Sequence, residues 1–222
     1  MPDDLPDETI PAESTTEAAV EPVAGAPAAR KRPRPGERRV QILQTLASML
    51  EQPGAERITT AALAAKLDVS EAALYRHFAS KAQMFEGLIE FIESSVFTLV
   101  NQITERESSG AVQAQKMVAM LLQFGEKNPG MTRVMVGDAL VFEHERLIAR
   151  MNQFFDRVES QLRTSLRSAA EAAGSPTPTV DANALSSALT SLIVGRLQRY
   201  ARTGFRRLPT EQLEPALQRL TS

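Results

Sequence analysis

The stretch RITTAALAAKLDVSEAALYRHFASKAQMFEGL, residues 57–88, decides the fold of this chain. Hydroxyl side chains at Thr59 and Ser70 each precede a short run of apolar residues at helical spacing, so each is predicted to cap the start of a helix. Only Asp68 and Val69 separate the two predicted helices. Two short helices joined by so tight a turn predict a helix-turn-helix unit.

This unit, roughly Arg57 to Lys81, has one predicted helix on each side. The first helix begins near Arg38 and ends at the Pro53-Gly54 turn. The fourth helix begins at Ser80, which forms with Gln83 a capping box that predicts two reciprocal hydrogen bonds. The apolar faces of the two helices are Val40, Leu43, Leu46, Ala47 and Leu50 in the first, and Phe85, Leu88, Ile92, Val96, Leu99 and Ile103 in the fourth.

The third helix, predicted from Ser70 to about Phe78, would enter the major groove of DNA. Small side chains at Ala72 and Ala73 would let the backbone approach the groove floor and contact thymine methyl groups, and Ser70 could bond either kind of base. A buried structural role is the alternative for the tyrosine and the histidine of this segment. The other candidates for contacts to bases or phosphate oxygens are Thr59, Thr60, Tyr75, Arg76, His77 and Lys81.

Charge is distributed unevenly along the chain, although the net charge is only -2. Residues 1–29 carry seven acidic and no basic side chains, whereas residues 30–85 carry ten basic and five acidic ones. The rest of the chain carries 15 of each sign. The positive potential therefore coincides with the predicted DNA-binding unit.

Six cations lie within residues 30–39, among them Arg38 and Arg39. One interpretation of this run is an arm that grips phosphates at the start of the first helix, and the other is a solvated linker. Residues 1–29 are rich in Pro, Ala, Glu and Thr and poor in large apolar side chains. This composition predicts a disordered acidic arm, because too little apolar surface is available to offset the entropy of ordering.

Helical periodicity continues to the end of the chain and no segment alternates as a strand would, so the predicted fold is all-α. Residues 174–178 form the clearest predicted loop. Further helices are predicted at 110–127, 129–138, 140–173, 181–204 and 210–221. The predicted parts are a disordered acidic arm (1–29), a basic arm with the helix-turn-helix DNA-binding domain (30–85), and a helical dimerisation and partner-binding domain (86–222).

The reactive side chains do not suggest an enzyme, and we expect neither a catalytic site nor a cofactor nor a metal. The chain has no cysteine, and its two histidines, His77 and His144, lie far apart in sequence. Glu143, His144 and Glu145 would point in different directions on a helix, so they are interpreted as a solvated surface. A secretory signal and a long apolar run are both missing from the sequence, so we expect a cytoplasmic protein.

The ending Ser...Leu-Tyr-Arg-His-Phe...Ser-Lys of the helix-turn-helix stretch resembles the DNA-binding domain of the TetR family of bacterial regulators. Asp68 stands where that family usually has glycine, and aspartate tolerates a left-handed backbone better than most residues. The resemblance implies an Ω-shaped all-α homodimer with two DNA-binding heads. The residues that carry it are Ser70, Leu74, Tyr75, Arg76, His77, Phe78, Ser80 and Lys81.

The same resemblance implies that the last two long helices form the dimer interface. An apolar stripe on the helix predicted at 181–204 suits that role. A buried core within one protomer is the alternative interpretation of this stripe. The stripe consists of Leu185, Leu189, Leu192, Ile193, Leu197 and Tyr200.

Beyond residue 85 the chain resembles the nucleoid occlusion factors of the TetR family in four segments. These segments are LIEFIE (88–93), FGEKNPGMTR (124–133), ALVFEHERL (139–147) and MNQFFDRVESQLR (151–163). The resemblance implies a nucleoid-associated protein that binds palindromic chromosomal sites. It also implies that the DNA-bound protein antagonises assembly of the tubulin-like division GTPase FtsZ, which blocks septum formation over the chromosome.

In such factors the FtsZ-binding surface lies on the fourth and fifth helices. Two apolar anchors between polar groups are predicted there, and ordinary helix packing is the alternative for every member of the set. The matching positions are Phe91, Met120, Lys127 and Asn128. The positions that differ in type from the family pattern are Leu99 and Gln123.

Two other functions fit parts of the sequence. A ligand-responsive TetR-type repressor would bind a small molecule among the apolar side chains of the C-terminal helices and lose DNA affinity. A pure interaction protein would not touch DNA, so its binding would lack the steep salt dependence that phosphate contacts impose.

Overall fold

The computed structural model describes residues 36–52 and 57–221. These residues are helical, turn or irregular and contain no strand, so the prediction of an all-α fold is confirmed. The predicted acidic arm, the first part of the basic arm and the Pro53-Gly54 turn lie outside the described residues. Within the described part, no helix is both long enough and apolar enough to span a bilayer.

Three helices form the N-terminal unit: α1 (Glu37–Leu50), α2 (Thr60–Lys66) and α3 (Glu71–Tyr75). The predicted caps are confirmed, because the side chain of Thr59 accepts a hydrogen bond from the backbone of α2 and that of Ser70 does so for α3. These bonds satisfy backbone N–H groups that have no partner inside the helix.

Helix α3 is shorter than predicted. It ends at Tyr75, and the backbone N–H groups of His77 and Phe78 both bond to the carbonyl of Leu74, at 2.9 and 3.1 Å. This turn buries the side chains of Leu74 and Phe78, which are each only 1% exposed and anchor the unit to the core. The predicted extension to Phe78 was wrong because Phe78 leaves the helix to reach the core.

The turn between α2 and α3 depends on Asp68, whose φ of 53° is left-handed. The left-handed region favours glycine, and aspartate is one of the few other residues that enter it at modest cost. The prediction that aspartate preserves this turn is therefore confirmed.

The buried face of α1 differs from the predicted one at its first turn. Ile42, Leu46 and Leu50 are buried at successive four-residue steps, whereas Val40 is 54% exposed. Residues four apart share a helix face, so Ile42 rather than Val40 begins the buried row.

Helix α4 (Lys81–Arg106) is the long fourth helix, and it passes residues 85 and 86 without a break. The backbone N–H of Gln83 bonds to the hydroxyl of Ser80 at 3.2 Å. The predicted second bond of the capping box, from the backbone N–H of Ser80 to the side chain of Gln83, is replaced by a neighbouring one. The amide oxygen of Gln83 accepts from the backbone N–H of Ala79 instead, at 2.9 Å. Leu99, which was assigned to the apolar face of this helix, is 38% exposed.

The helical body after α4 consists of α5 (Gly110–Lys127), α6 (Pro129–Met135), a 3-10 turn (Asp138–Leu140), α7 (Glu145–Ala172), α8 (Pro178–Arg202) and α9 (Leu213–Leu220). Helices α7 and α8 make the most extensive contact, and α5 packs on α4, α7 and α8. His144 caps α7, so this helix starts later than predicted, and Pro178 opens α8 earlier than predicted.

Gly130 brings α6 directly against α1 and so joins the helix-turn-helix unit to the body. A Cβ at this position would lie 2.0 Å from the carbonyl oxygen of Ala47. No side chain fits at that distance, so glycine is required for this approach.

Candidate nucleic-acid interface

The outer surface of α3 and of the turn that follows it faces solvent. Ala72, Arg76 and His77 are exposed, Ala73 is half-buried, and Tyr75 is 45% exposed. The alternative of a buried role for the tyrosine and histidine therefore does not apply within the protomer. All five predicted contact residues therefore keep surface that DNA could contact, while Leu74 and Phe78 hold this segment to the core.

The capping hydroxyls next to this surface keep a proton to donate. Thr59 and Ser70 accept from the backbone N–H groups of Ala62 and Ala73, at 3.1 and 3.3 Å. A hydroxyl that accepts in this way can still donate to a phosphate oxygen. Thr60 differs, because its hydroxyl donates to the carboxylate of Glu71 at 2.6 Å.

Arg39 has a structural role that the sequence did not reveal. Its guanidinium donates to the carbonyl of His77 at 3.0 Å and lies 4.1 Å from the centroid of the Phe78 ring. These contacts tie α1 to the end of α3 across 38 residues of sequence. Arg38, by contrast, bonds only locally to Gln41, at 2.7 Å.

Lys81, predicted to bind phosphate, is paired inside the protein with Glu143. The side chain of Lys81 is 27% exposed and that of Glu143 only 9%. The interpretation of Glu143 as part of a solvated surface was therefore wrong, because the turn before α7 places its carboxylate beside the start of α4. His144 is exposed, and its Nδ1 accepts from the backbone of Arg146 at 3.2 Å.

A second surface lies on α4 and α5. A three-residue connection makes these helices antiparallel neighbours. Phe91 is 48% exposed, and helical spacing puts it on the same side of α4 as Leu99 and Gln102. Spacing likewise puts Met120 and Lys127 on one side of α5. We call this surface the α4–α5 face; its members are Phe91, Leu99, Gln102, Lys116, Met120, Gln123 and Lys127.

A groove of about 450 Å³ occupies the half of the α4–α5 face nearest the connection between the helices. Met120 lines it, together with the two positions that depart from the family pattern, Leu99 and Gln123. Phe91, Lys127 and Asn128 are not part of its lining. Asn128 instead donates to the carbonyl of Phe124 at 2.7 Å and lies at the junction of α5 and α6.

The predicted dimer stripe on α8 is largely inside the protomer. Leu189, Ile193 and Leu197 are fully buried, and Tyr200 is 3% exposed. The hydroxyl of Tyr200 donates to the carbonyl of Glu126 at 3.0 Å. These four side chains cannot meet a second copy, so the alternative of a protomer core holds for them. The stripe members that keep partial exposure are Leu185 and Leu192.

Two family models match this chain. The model of bacterial regulatory proteins of the TetR family matches residues 42–88, which contain α2 and α3 and parts of α1 and α4. The SlmA-like model of the tetracyclin repressor-like C-terminal domain matches residues 109–222, which is the body from the start of α5 onward.

Curated relatives are similar over most of their length. The nucleoid occlusion factor SlmA of Photobacterium profundum is 49% identical over 186 residues, which is 83% of this chain and 94% of the relative. The nucleoid occlusion factor SlmA of Vibrio cholerae is 49% identical over 178 residues, which is 80% of this chain and 90% of the relative.

Solved structures share the fold at low identity. The transcriptional regulator FadR of Bacillus subtilis, solved with stearoyl-CoA, has a TM-score of 0.66 at 12% identity and matches over 82% of this chain and 97% of its own. The TetR-family regulator PfmR of Thermus thermophilus has a TM-score of 0.64 at 18% identity and matches over 82% of this chain and 94% of its own.

The two family models and the curated relatives together identify the family of this chain. The chain belongs to the TetR family of bacterial regulatory proteins and, within it, to the SlmA nucleoid occlusion factors.

Proposed function

We propose that this protein is a cytoplasmic, nucleoid-associated nucleoid occlusion factor that acts by binding and not by catalysis. It binds palindromic DNA sites as a homodimer and, when bound, antagonises assembly of FtsZ, so that septa do not close over the chromosome. The observation that carries this proposal is the 49% identity to a nucleoid occlusion factor across 94% of that relative's length.

The α3 surface is proposed to lie in the major groove. Ala72 and Ala73 leave room for the backbone to approach base edges. Tyr75, Arg76 and His77 extend beyond them toward the base edges or the phosphate backbone, and all three are exposed in the protomer. The hydroxyl protons of the two helix caps are available for phosphate oxygens at the same end of the unit.

The α4–α5 face is proposed to bind FtsZ. It combines an exposed aromatic ring, Phe91, with a groove that Met120 lines. Lys127 is exposed on the α5 side, as is Lys116, which forms an ion pair with Glu107. Apolar anchors surrounded by polar and cationic groups suit a peptide segment that carries both apolar and acidic side chains.

The homodimer is proposed to form through the outer faces of α7 and α8, the last two long helices. Leu185 and Leu192 are the stripe members with surface left for a partner. A two-fold axis through these helices would present two copies of α3 to two half-sites, which is the arrangement that a palindromic site requires.

DNA binding is tested by fluorescence anisotropy with a duplex selected from random sequence. We expect binding that weakens steeply as salt rises, because phosphate contacts release counterions. Tyr75→Ala should weaken binding to all sequences, and its exposed position means that the fold should persist in circular dichroism. Binding that is absent or insensitive to salt would instead favour the pure interaction protein. Tight binding that a small molecule reverses would favour the ligand-responsive repressor.

A further inference from the structure

Glu143 is the last carboxylate before α7, and it contacts the first residue of α4 across 62 positions of sequence. Its partner, Lys81, directly follows the helix-turn-helix segment and its cap Ser80 in sequence and is one of the residues predicted to bind phosphate. The ammonium of Lys81 also lies 5.7 Å from the centroid of the Phe85 ring. The cation nearest the recognition segment on α4 is therefore already neutralised by the protein itself.

Two other ion pairs join α4 to α7 further along. Arg146 bonds to Glu86 at 2.8 Å, and Arg150 bonds to Glu93 at 2.6 Å. The hydrogen bonds that Arg150 donates to the Glu93 carboxylate raise the pKa of Arg150. Neither pair uses a predicted DNA-binding residue, so both should persist in the complex and hold α7 in place. Among the ion pairs within residues 36–52 and 57–221 that join α4 to the segment 143–150, the pair of Lys81 and Glu143 is the one that includes a predicted DNA-binding residue.

The carboxylate of Glu143 is largely shielded from solvent, since its side chain is only 9% exposed. A carboxylate this buried is costly to leave without its cation. Transfer of Lys81 to a phosphate would therefore oblige the Glu143 side chain to turn toward water.

We propose that Glu143 competes with the DNA backbone for Lys81, so that DNA binding breaks their ion pair. The inference rests on the proposed DNA-binding function. Glu143 is a positioning residue in this scheme, because it acts on DNA only through Lys81. Its presence lowers DNA affinity.

The test is a double-mutant cycle of Glu143→Gln and Lys81→Met, read by duplex anisotropy over a salt series. Glu143→Gln alone should bind several-fold tighter than wild type. Its slope of log affinity against log salt should be steeper by about 0.9, the value of one phosphate contact in B-DNA. In the Lys81→Met background the same substitution should change neither quantity. If Lys81→Met does not fold, Lys81→Gln removes the same charge.

Glu93→Gln is the matched control, because it removes a carboxylate from an α4–α7 ion pair that does not involve Lys81. An equal gain in affinity from this control, or a gain from Glu143→Gln that survives without Lys81, would reduce the effect to general electrostatics and overturn the inference. No gain from Glu143→Gln would also overturn it. Wild-type protein that binds no duplex would instead refute the proposed DNA-binding function itself.

Discussion

Arg38 and Arg39 are adjacent residues of the same type, and the sequence placed both in one phosphate-binding arm. The structure separates them, because only Arg39 reaches the carbonyl of His77 and the ring of Phe78. Sequence can count cations, but it cannot show which of them the fold has already paired. Lys81 illustrates the same limit, since its partner Glu143 comes from a turn 62 residues away.

Substitution of these two arginines separates the structural role from the electrostatic one. Arg39→Ala should lower the free energy of unfolding by about 1 kcal/mol, through the lost hydrogen bond and the lost contact with Phe78. Arg38→Ala removes the same charge but only a local bond, so its unfolding free energy should stay within about 0.5 kcal/mol of wild type. Urea unfolding followed by circular dichroism measures both. Equal losses would show that Arg39 does not tie α1 to α3.

Tyr200 predicts a pH dependence of stability. Burial, followed by the nearby charges of Glu126 and Glu51, raises the pKa of Tyr200 above its ordinary value of 10.0. A folded-state pKa above the unfolded one means that the contribution of this group is complete below pH 10 and is lost as the pH rises further. Tyr200→Phe should cost about 1 kcal/mol at neutral pH through its lost hydrogen bond.

The difference in unfolding free energy between wild type and Tyr200→Phe should therefore shrink between pH 9 and pH 11. Comparison of the two proteins isolates the contribution of the Tyr200 hydroxyl, because every other residue is the same in both. A difference that stays constant over this range would contradict the raised pKa.

At the scale of elements, the starts of α2, α3 and α4 were predicted correctly, whereas the end of α3 and the starts of α7 and α8 were not. Thr59, Ser70 and Ser80 cap the helices for which they were predicted, because a cap depends on bonds between residues only two or three apart. The end of α3 depends on burial of Phe78 against other helices. Nothing in the local sequence encodes that contact, so the end was misplaced.

Two glycines provide a matched test of helix packing. A Cβ at Gly130 would meet the backbone oxygen of Ala47 at 2.0 Å, whereas one at Gly125 would meet the end of the Leu197 side chain at 2.4 Å. A side chain can rotate away and a backbone carbonyl of α1 cannot, so Gly130→Ala should be the more destabilising. Overpacking of this kind costs on the order of 1–3 kcal/mol. Urea unfolding of the two variants decides the order, and a larger loss at Gly125 would contradict the α1–α6 contact.

The α4–α5 face makes a prediction about partner binding. Met120→Ala and Lys127→Ala should each reduce inhibition of FtsZ assembly while the affinity for duplex DNA stays unchanged, because neither side chain lies on α3. Arg207→Ala, an exposed cation between α8 and α9, is the control and should inhibit like wild type. Light scattering of FtsZ and duplex anisotropy measure the two properties. Full inhibition by both face variants would place the FtsZ surface elsewhere.

At the scale of the whole molecule, the all-α fold and the family were within reach of the sequence, whereas the division between core and interface was not. The α8 stripe shows why: Leu189, Ile193 and Leu197 have the spacing of an interface and of a core alike, and all three are buried within the protomer. An amphipathic pattern predicts that one face of a helix is buried. It does not show whether that face packs against the same protomer or against a second copy.

DNA dependence is the central property proposed for the whole molecule, since each dimer would bring its FtsZ-binding faces to the chromosome. Several dimers on neighbouring sites would add avidity for a filament, because each further contact is made at high local concentration. Free dimers lack that advantage and should inhibit weakly.

The most direct measurement is light scattering of GTP-driven FtsZ assembly with the purified full chain, with and without a duplex that carries a selected binding site. We predict loss of polymer when protein and selected duplex are both present, and much smaller loss with the protein alone or with a scrambled duplex. Assembly that is unchanged by the DNA-bound protein would contradict the account and leave a DNA-binding regulator of the TetR family without an action on FtsZ.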